Sequence, residues 1–252
     1  MSGERPVLLL HGQPGGACDW EPVAGVLGRR AIVFDRPGWD GRSKPTDLPG
    51  NARAALATLD RLGIDCATVA GHSLGGAVAA WIAADHPDRV EALVLAAPAA
   101  NVDALYALDR WLAAPVAGYA ASAASLAGLG AALATGPVRR RIARELAVED
   151  RYLRAASGRL LRPSAWRAFA TEQRALVRDL PALEHRLAQI SAPTTIVAGA
   201  ADRLVPPAAV RTLVGQIAGA ELVVLEHAGH LLQVQQPRRM AEIIRLAASN
   251  RF

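Results

Sequence analysis

Short apolar runs recur along the chain, each followed by a glycine-rich or polar break and then by a longer stretch with helical character. Val7–Leu10, Ala31–Phe34, Cys66–Ala70, Ala92–Ala97, Thr194–Ala198 and Leu222–Leu225 are apolar throughout or nearly so and read as strands, with Cys66–Ala70 and Ala92–Ala97 read as buried ones. Between them, Ala52–Leu62 carries apolar residues at helical spacing and ends at Gly63, and Ala77–Ala84 consists of helix formers and stops near Pro87. Further helices are predicted near Ala208–Ile217 and from Pro237 to about Ala248, and Asp19 is placed to cap one running through Leu27. Strands alternating with helices predict an α/β protein with a doubly wound, mostly parallel sheet of about six strands. Its ligand is expected beyond the carboxyl ends of those strands.

The alternation breaks once. After Pro98 the strand pattern vanishes for about 85 residues and returns at Thr194. Residues 101–187 are rich in alanine, leucine and arginine and are read as a helical insertion, with 1–100 and 188–252 forming the core. Within the insertion, Trp111 to Val138 contains no charged residue. Such a run invites a membrane-spanning reading. Its small residues, Pro115 and its place between two sheet strands count against a span. A surface helix normally places charge on its outer face, so the run is expected to be shielded on more than one side. The sheet domain, a ligand pocket or a second subunit of a homodimer would serve as the cover.

Candidate chemistry sits in the breaks. Gly71-His-Ser-Leu-Gly75 joins a predicted strand to a predicted helix and matches the G-x-S-x-G nucleophile elbow. The spacing has a steric reason, because a strained serine needs small neighbours where strand and helix converge. An acid and a histidine should follow in that order, and Asp202 and His230 each lie in a loop after a strand-like run. His11-Gly-Gln-Pro-Gly15 forms a tight turn after the first strand.

With HGQPG at 11–15, DRPGWDGRS at 35–43, GHSLGG at 71–76, GAADRLVP at 199–206 and AGHLLQVQQP at 228–237, the chain resembles enzymes of the α/β-hydrolase fold. The resemblance implies a helical cap over the site, Ser73 as nucleophile, His230 as base and Asp202 as its orienting acid. It also implies an oxyanion hole made by the backbone N–H groups of Gln13 and Leu74. Members usually begin with an antiparallel strand pair, so the sheet is expected to be short at that edge. Asp103 stands where some relatives carry their acid, but the 199–206 loop matches the usual acid loop far better. His72 and His11 are read as local support, His227 as packing or hydrogen-bonding locally, and Asp35, Asp40 and Ser43 as structural. Relatives that open epoxides carry aspartate in place of this serine, so the three cap tyrosines are read as packing or pocket lining. The expected activity is hydrolysis of a small to medium apolar carboxylic ester through an acyl-enzyme. A carbon–carbon bond hydrolase of a vinylogous diketone shares the triad and cap, and thioester, lactone and peracid chemistry are open to the same residues. The alternative of another class is a non-catalytic ligand-binding protein that keeps the fold.

Composition changes this picture little. The chain has 252 residues, 52% of them apolar and 20% charged, which suits one large domain. A net charge of +5 comes almost wholly from arginine, with Lys44 the only lysine, and no nucleic-acid partner is expected. The tight cluster Arg139–Arg141 is read as a solvated face. Cys18 and Cys66 cannot build a disulfide framework, and Cys66 reads as a small buried hydrophobe. No metal-ligand spacing, Walker loop or dinucleotide fingerprint is present, so neither metal nor cofactor is expected. Strand residues begin by position 7, which leaves no room for a signal peptide and predicts a cytoplasmic location.

Overall fold

A computed structural model of the chain describes residues 5–249. Met1–Glu4, on which the signal-peptide reading rests, lie outside the described residues.

Six strands form one parallel sheet in the order β2-β1-β3-β4-β5-β6. They are β1 (Val7–Leu10), β2 (Ala31–Val33), β3 (Ala67–His72), β4 (Val90–Ala96), β5 (Thr194–Gly199) and β6 (Glu221–Leu225). Helices α1 (Glu21–Ala24), α2 (Leu48–Arg61) and α3 (Leu74–Asp85) lie between the early strands. The α/β expectation is met, and the strand period explains the layers. Leu8 and Leu10 of β1 point into one apolar cluster with α2 and α3, whereas Val7 and Leu9 point into a second cluster on the opposite face. Helix α3 is buried along nearly its whole length, which is why it shows no polar face at all.

Between β4 and β5 the chain forms the cap: α4 (Ala107–Leu112), α5 (Ala117–Ala134), α6 (Gly136–Glu145), α7 (Asp150–Leu160) and α8 (Pro163–Glu184). After β5 come α9 (Pro207–Gln216), α10 (Leu232–Gln235) and α11 (Pro237–Ala247). Leu126, Leu133, Ala143, Leu153 and Leu160 give the cap a small apolar centre of its own. The C-terminal half of α8 (Leu176, Leu180, Leu183) leaves the cap and joins the main core beside α3. This long helix therefore belongs to both parts.

Four expectations are corrected. Asp19 caps no helix through Leu27; the helix is a single turn, Glu21–Ala24, with Trp20 at its N-cap and Gly25 at its C-cap, and the Asp19 carboxylate instead accepts the Gly16 N–H at 3.1 Å. Cys66 is only half-buried, and its Sγ accepts from Arg5 Nη1 at 2.9 Å. Arg139 is buried rather than solvated: it pairs with Asp150 at 2.8 Å and donates to the Leu133 and Ala134 carbonyls that end α5. Finally, α5 is not shielded on several sides. Its buried residues, Gly118, Ser122, Leu126, Gly130 and Leu133, form a single stripe. Small residues in that stripe allow close packing, as where Ser157 Oγ donates to the Gly130 carbonyl at 2.7 Å. By length and hydropathy alone α5 would cross a membrane, but it packs along α7 and α8 through this stripe, with Leu129 and Val116 facing outward.

Candidate active site

Ser73 lies between β3 and α3 with φ 53 and ψ −120, a left-handed strained conformation held from both sides. Its N–H donates to the Ala96 carbonyl at 2.9 Å, and its carbonyl accepts from Gly76 and Ala99. A Cβ on Gly71 would lie 2.1 Å from the Gly75 carbonyl oxygen, and one on Gly75 would lie 2.4 Å from the His11 and Leu10 oxygens. Both glycines are thus demanded by backbone approach. Ser73 Oγ makes no hydrogen bond among the described residues, and the residue as a whole is buried, with 8% exposure.

Asp202 follows β5 and His230 follows β6, and the fold brings them together. His230 Nδ1 and Asp202 Oδ2 are 2.9 Å apart. The N–H groups of Leu204 and Val205 donate to Asp202 Oδ1 at 2.8 and 3.2 Å. Burial pulls the Asp202 carboxyl upward, but the His230 hydrogen bond and charge, with those two N–H groups, hold it below the ordinary aspartate value. An ionised carboxylate only accepts, so the imidazole carries a proton on Nδ1, which leaves Nε2 as the nitrogen able to take up a proton. Asp103, the rival acid, is exposed on the turn after β4.

The remaining histidines divide by burial. His72 Nε2 donates to the His230 carbonyl at 2.8 Å, and its ring lies 4.7 Å from that of His230. Burial, then the neighbouring His230, lowers its pKa to about 3. His11 Nε2 accepts from the Arg36 N–H at 3.0 Å, and burial followed by the Arg36 charge drives its pKa well below the usual range. Both match their reading as local support. His227 does not pack locally; it is exposed, with φ 61.

The 11–15 turn lies against the serine. A Cβ on Gly12 would meet His72 Nδ1 at 2.8 Å and Ser73 Cβ at 3.0 Å. Neither Gln13 N–H nor Leu74 N–H is taken by a hydrogen bond among the described residues, and Leu74 opens α3, where main-chain donors are unpaired. Asp40 ties its own loop by accepting from Arg42, Ser43 N–H and Ser43 Oγ, and Asp35 accepts from Ala17, as structural residues do.

Pattern reading missed several polar residues that build this region. Arg36 and Glu172 are fully buried and form an ion pair between the core and α8. Gln13 Nε2 donates to Gln173 Oε1 at 2.8 Å. Arg159 of α7 reaches Asp19 at 3.3 Å and Cys18 Sγ at 3.0 Å. One signal was legible: Glu172 interrupts the stripe Ala165, Ala168, Leu176 and Leu180 at helical spacing, where a charge demands a buried partner. Among the described residues no group of three His, Cys, Asp or Glu side chains is arranged to hold a metal ion.

A sequence profile of the alpha/beta hydrolase fold matches residues 5–237. The chain belongs to this family. It is similar to a 2-hydroxy-6-oxononadienedioate/2-hydroxy-6-oxononatrienedioate hydrolase of Pseudomonas putida, 30% identical over 92% of this chain and 83% of the relative. A 2-hydroxymuconate semialdehyde hydrolase of Pseudomonas sp. (strain CF600) is 28% identical, covering 95% and 85%. Among solved structures, a hydrolase from Pseudomonas aeruginosa superposes with a TM-score of 0.76 at 26% identity, over 99% of this chain and 91% of that one.

These relatives overturn the expected apolar carboxylic ester as substrate. Curated relatives that match more than nine-tenths of the chain are named for 2-hydroxy-6-oxo dienoic compounds and 2-hydroxymuconate semialdehyde. The physical reason is that a serine, a histidine–carboxylate pair and two main-chain donors recognise a tetrahedral oxyanion. The bond broken beside that oxyanion is selected elsewhere in the pocket.

Proposed function

We propose that the protein hydrolyses a carbon–carbon bond in a vinylogous diketone of the 2-hydroxy-6-oxodienoate class, with Ser73, His230 and Asp202 as catalytic residues. The observation that carries this reading is the 30% identity, over 92% of the chain, to a relative named for such a compound. The strained Ser73 and the 2.9 Å contact between His230 and Asp202 support the residue roles.

The chemistry follows from the substrate class. A 2-hydroxy-6-oxodienoate has a poor leaving group until its C2 hydroxyl proton is moved to C5. In the resulting keto form the C5–C6 bond lies between the C6 carbonyl and a conjugated enone. His230 Nε2 takes the Ser73 hydroxyl proton as Oγ attacks C6. The oxyanion is held by the Gln13 and Leu74 N–H groups. When the tetrahedral species collapses, the C5–C6 electron pair passes through the enone to the C2 oxygen, which receives the proton from His230. Water, deprotonated by the same imidazole, then releases the acyl group as a carboxylic acid, and a 2-hydroxydienoate leaves as the other product. Asp202 keeps the imidazole in the required tautomer and stabilises its cation.

The test is a comparison of 2-hydroxymuconate semialdehyde and 2-hydroxy-6-oxononadienedioate with a panel of p-nitrophenyl esters. Loss of the dienolate absorbance, with a kcat/KM above that for any ester, is the expected result. Inert dienols beside rapidly cleaved esters would overturn the proposal.

A further inference from the structure

The oxyanion turn does not stand on its own main-chain bonds. The Arg36 guanidinium, completely buried, donates from Nε to the His11 carbonyl and from Nη2 to the Gly12 carbonyl, both at 2.9 Å. Its remaining arm meets Glu172 Oε1. Glu172 is in turn held by Trp39 Nε1 at 2.9 Å and Asn51 Nδ2 at 3.3 Å. The adjacent residue of α8, Gln173, accepts from Gln13 Nε2 at 2.8 Å and donates to Asp109 Oδ1 of α4 at 3.0 Å. Two consecutive residues of one cap helix therefore hold three consecutive residues of the turn, His11, Gly12 and Gln13.

Stability does not account for this arrangement. A buried ion pair costs so much desolvation that apolar side chains of similar size commonly serve a fold as well or better. What the pair supplies is direction: a planar guanidinium, fixed by a carboxylate on one edge, aims two donors at two successive carbonyls. Orienting the carbonyls of residues 11 and 12 orients the peptide planes that follow, and the plane after Gly12 carries the Gln13 N–H.

We propose that Glu172, seconded by Gln173, is a positioning residue that acts through Arg36 to set the oxyanion turn, so that the Gln13 N–H is in register only while α8 is seated on the core. The inference rests on the serine-hydrolase reading above. Seating of α8 and assembly of the oxyanion site become one event, which ties reactivity of Ser73 to the position of that helix.

The experiment uses a fluorophosphonate, because phosphonylation of Ser73 needs the nucleophile and the oxyanion donors but not the natural substrate. Maximal labelling rate, half-saturating concentration and Tm are measured for the full chain and for two variants. The first is the double replacement Arg36→Met with Glu172→Met, which leaves no unpaired buried charge. The second is Gln173→Met, which leaves the Arg36–Glu172 pair in place and severs the links to Gln13 and to Asp109. The double variant is expected to melt lower, because the His11 and Gly12 carbonyls, Trp39 Nε1 and Asn51 Nδ2 lose these partners, but to be folded at the labelling temperature and to label about a hundredfold more slowly at saturation, with half-saturation changed less than about threefold. Gln173→Met is expected to lose about tenfold in the same rate. Parental labelling rates in folded variants would overturn the inference while leaving the hydrolase reading intact. If the double variant does not fold, Gln173→Met decides: a parental rate overturns the inference and a tenfold loss sustains it. A parent protein unlabelled at Ser73 would sink the hydrolase reading itself, and this inference with it.

Discussion

His72 donates from Nε2 to the main-chain oxygen of His230 at 2.8 Å, joining the residue before Ser73 to the loop after β6 across 158 positions of sequence. The bond needs only a proton on Nε2, and by itself it favours the charged ring. Burial, then the nearby His230, outweighs it and lowers the His72 pKa to about 3, so the ring stays neutral.

Acid should therefore loosen the site. In the unfolded chain this imidazole binds its proton near roughly 6.5. In the folded chain it does so only around 3. Between those values the unfolded state holds more protons, so stability falls as pH falls, by up to about 1.4 kcal/mol per pH unit from this group. His11, also driven low by burial and then by Arg36, acts in the same direction. Urea denaturation at pH 7 and pH 5 should show a loss of about 2 kcal/mol from His72 alone, and His72→Asn should show a shallower dependence. Identical slopes in the two proteins would remove His72 from the account.

Ser73→Ala should leave the fold and Tm near parental, since the Ser73 hydroxyl makes no hydrogen bond among the described residues. Turnover should fall by about 10⁵–10⁶-fold. Stopped-flow decay of a dienol substrate together with thermal melting checks both halves; appreciable turnover in the pure variant would place the nucleophile elsewhere.

Asp202 and Asp103 offer a paired test. The Asp202→Asn amide would favour the wrong imidazole tautomer and is expected to cost about ten-thousandfold in kcat. Asp103 is exposed on a different turn, so Asp103→Asn should change kcat less than about twofold. Steady-state kinetics of both proteins would expose a misassigned acid if the order were reversed.

The single buried stripe of α5 makes a sharp contrast between two leucines three residues apart. Leu126 is 6% exposed in the cap centre, whereas Leu129 is 45% exposed. Leu126→Asp forces a carboxylate into an apolar cluster and should cost on the order of 3–5 kcal/mol. Leu129→Asp should stay within about 1 kcal/mol of the parent. Chemical denaturation distinguishes them, and a large loss at Leu129 would mean that the outer face of α5 is covered in solution.

Residues whose role is fixed by neighbours close in sequence were readable in advance. The strand–turn–helix around Ser73 is one case: its glycines follow from backbone approach within a few positions, although the closest contact of Gly75 is with His11. The central strands β1, β3 and β4 were legible because a strand covered on both faces has nowhere to place a polar side chain, whereas the edge strand β6 is largely exposed and was legible only by its apolar run. Where reading by composition failed, long-range partners had changed the meaning of a residue. Arg139 looks like one of three solvated arginines, yet only it faces the end of α5 and Asp150.

By itself, then, the sequence determined the sheet, the place of the insertion and the order of serine, acid and histidine, because apolar period, helix breakers and turn chemistry act over a few residues. It left open which polar side chains would be buried together. Arg36 and Glu172 are 136 positions apart, and nothing in either segment names the other. Only the packing of α8 across the core made them partners, since a buried charge takes its function from whatever the fold places within about 3 Å of it.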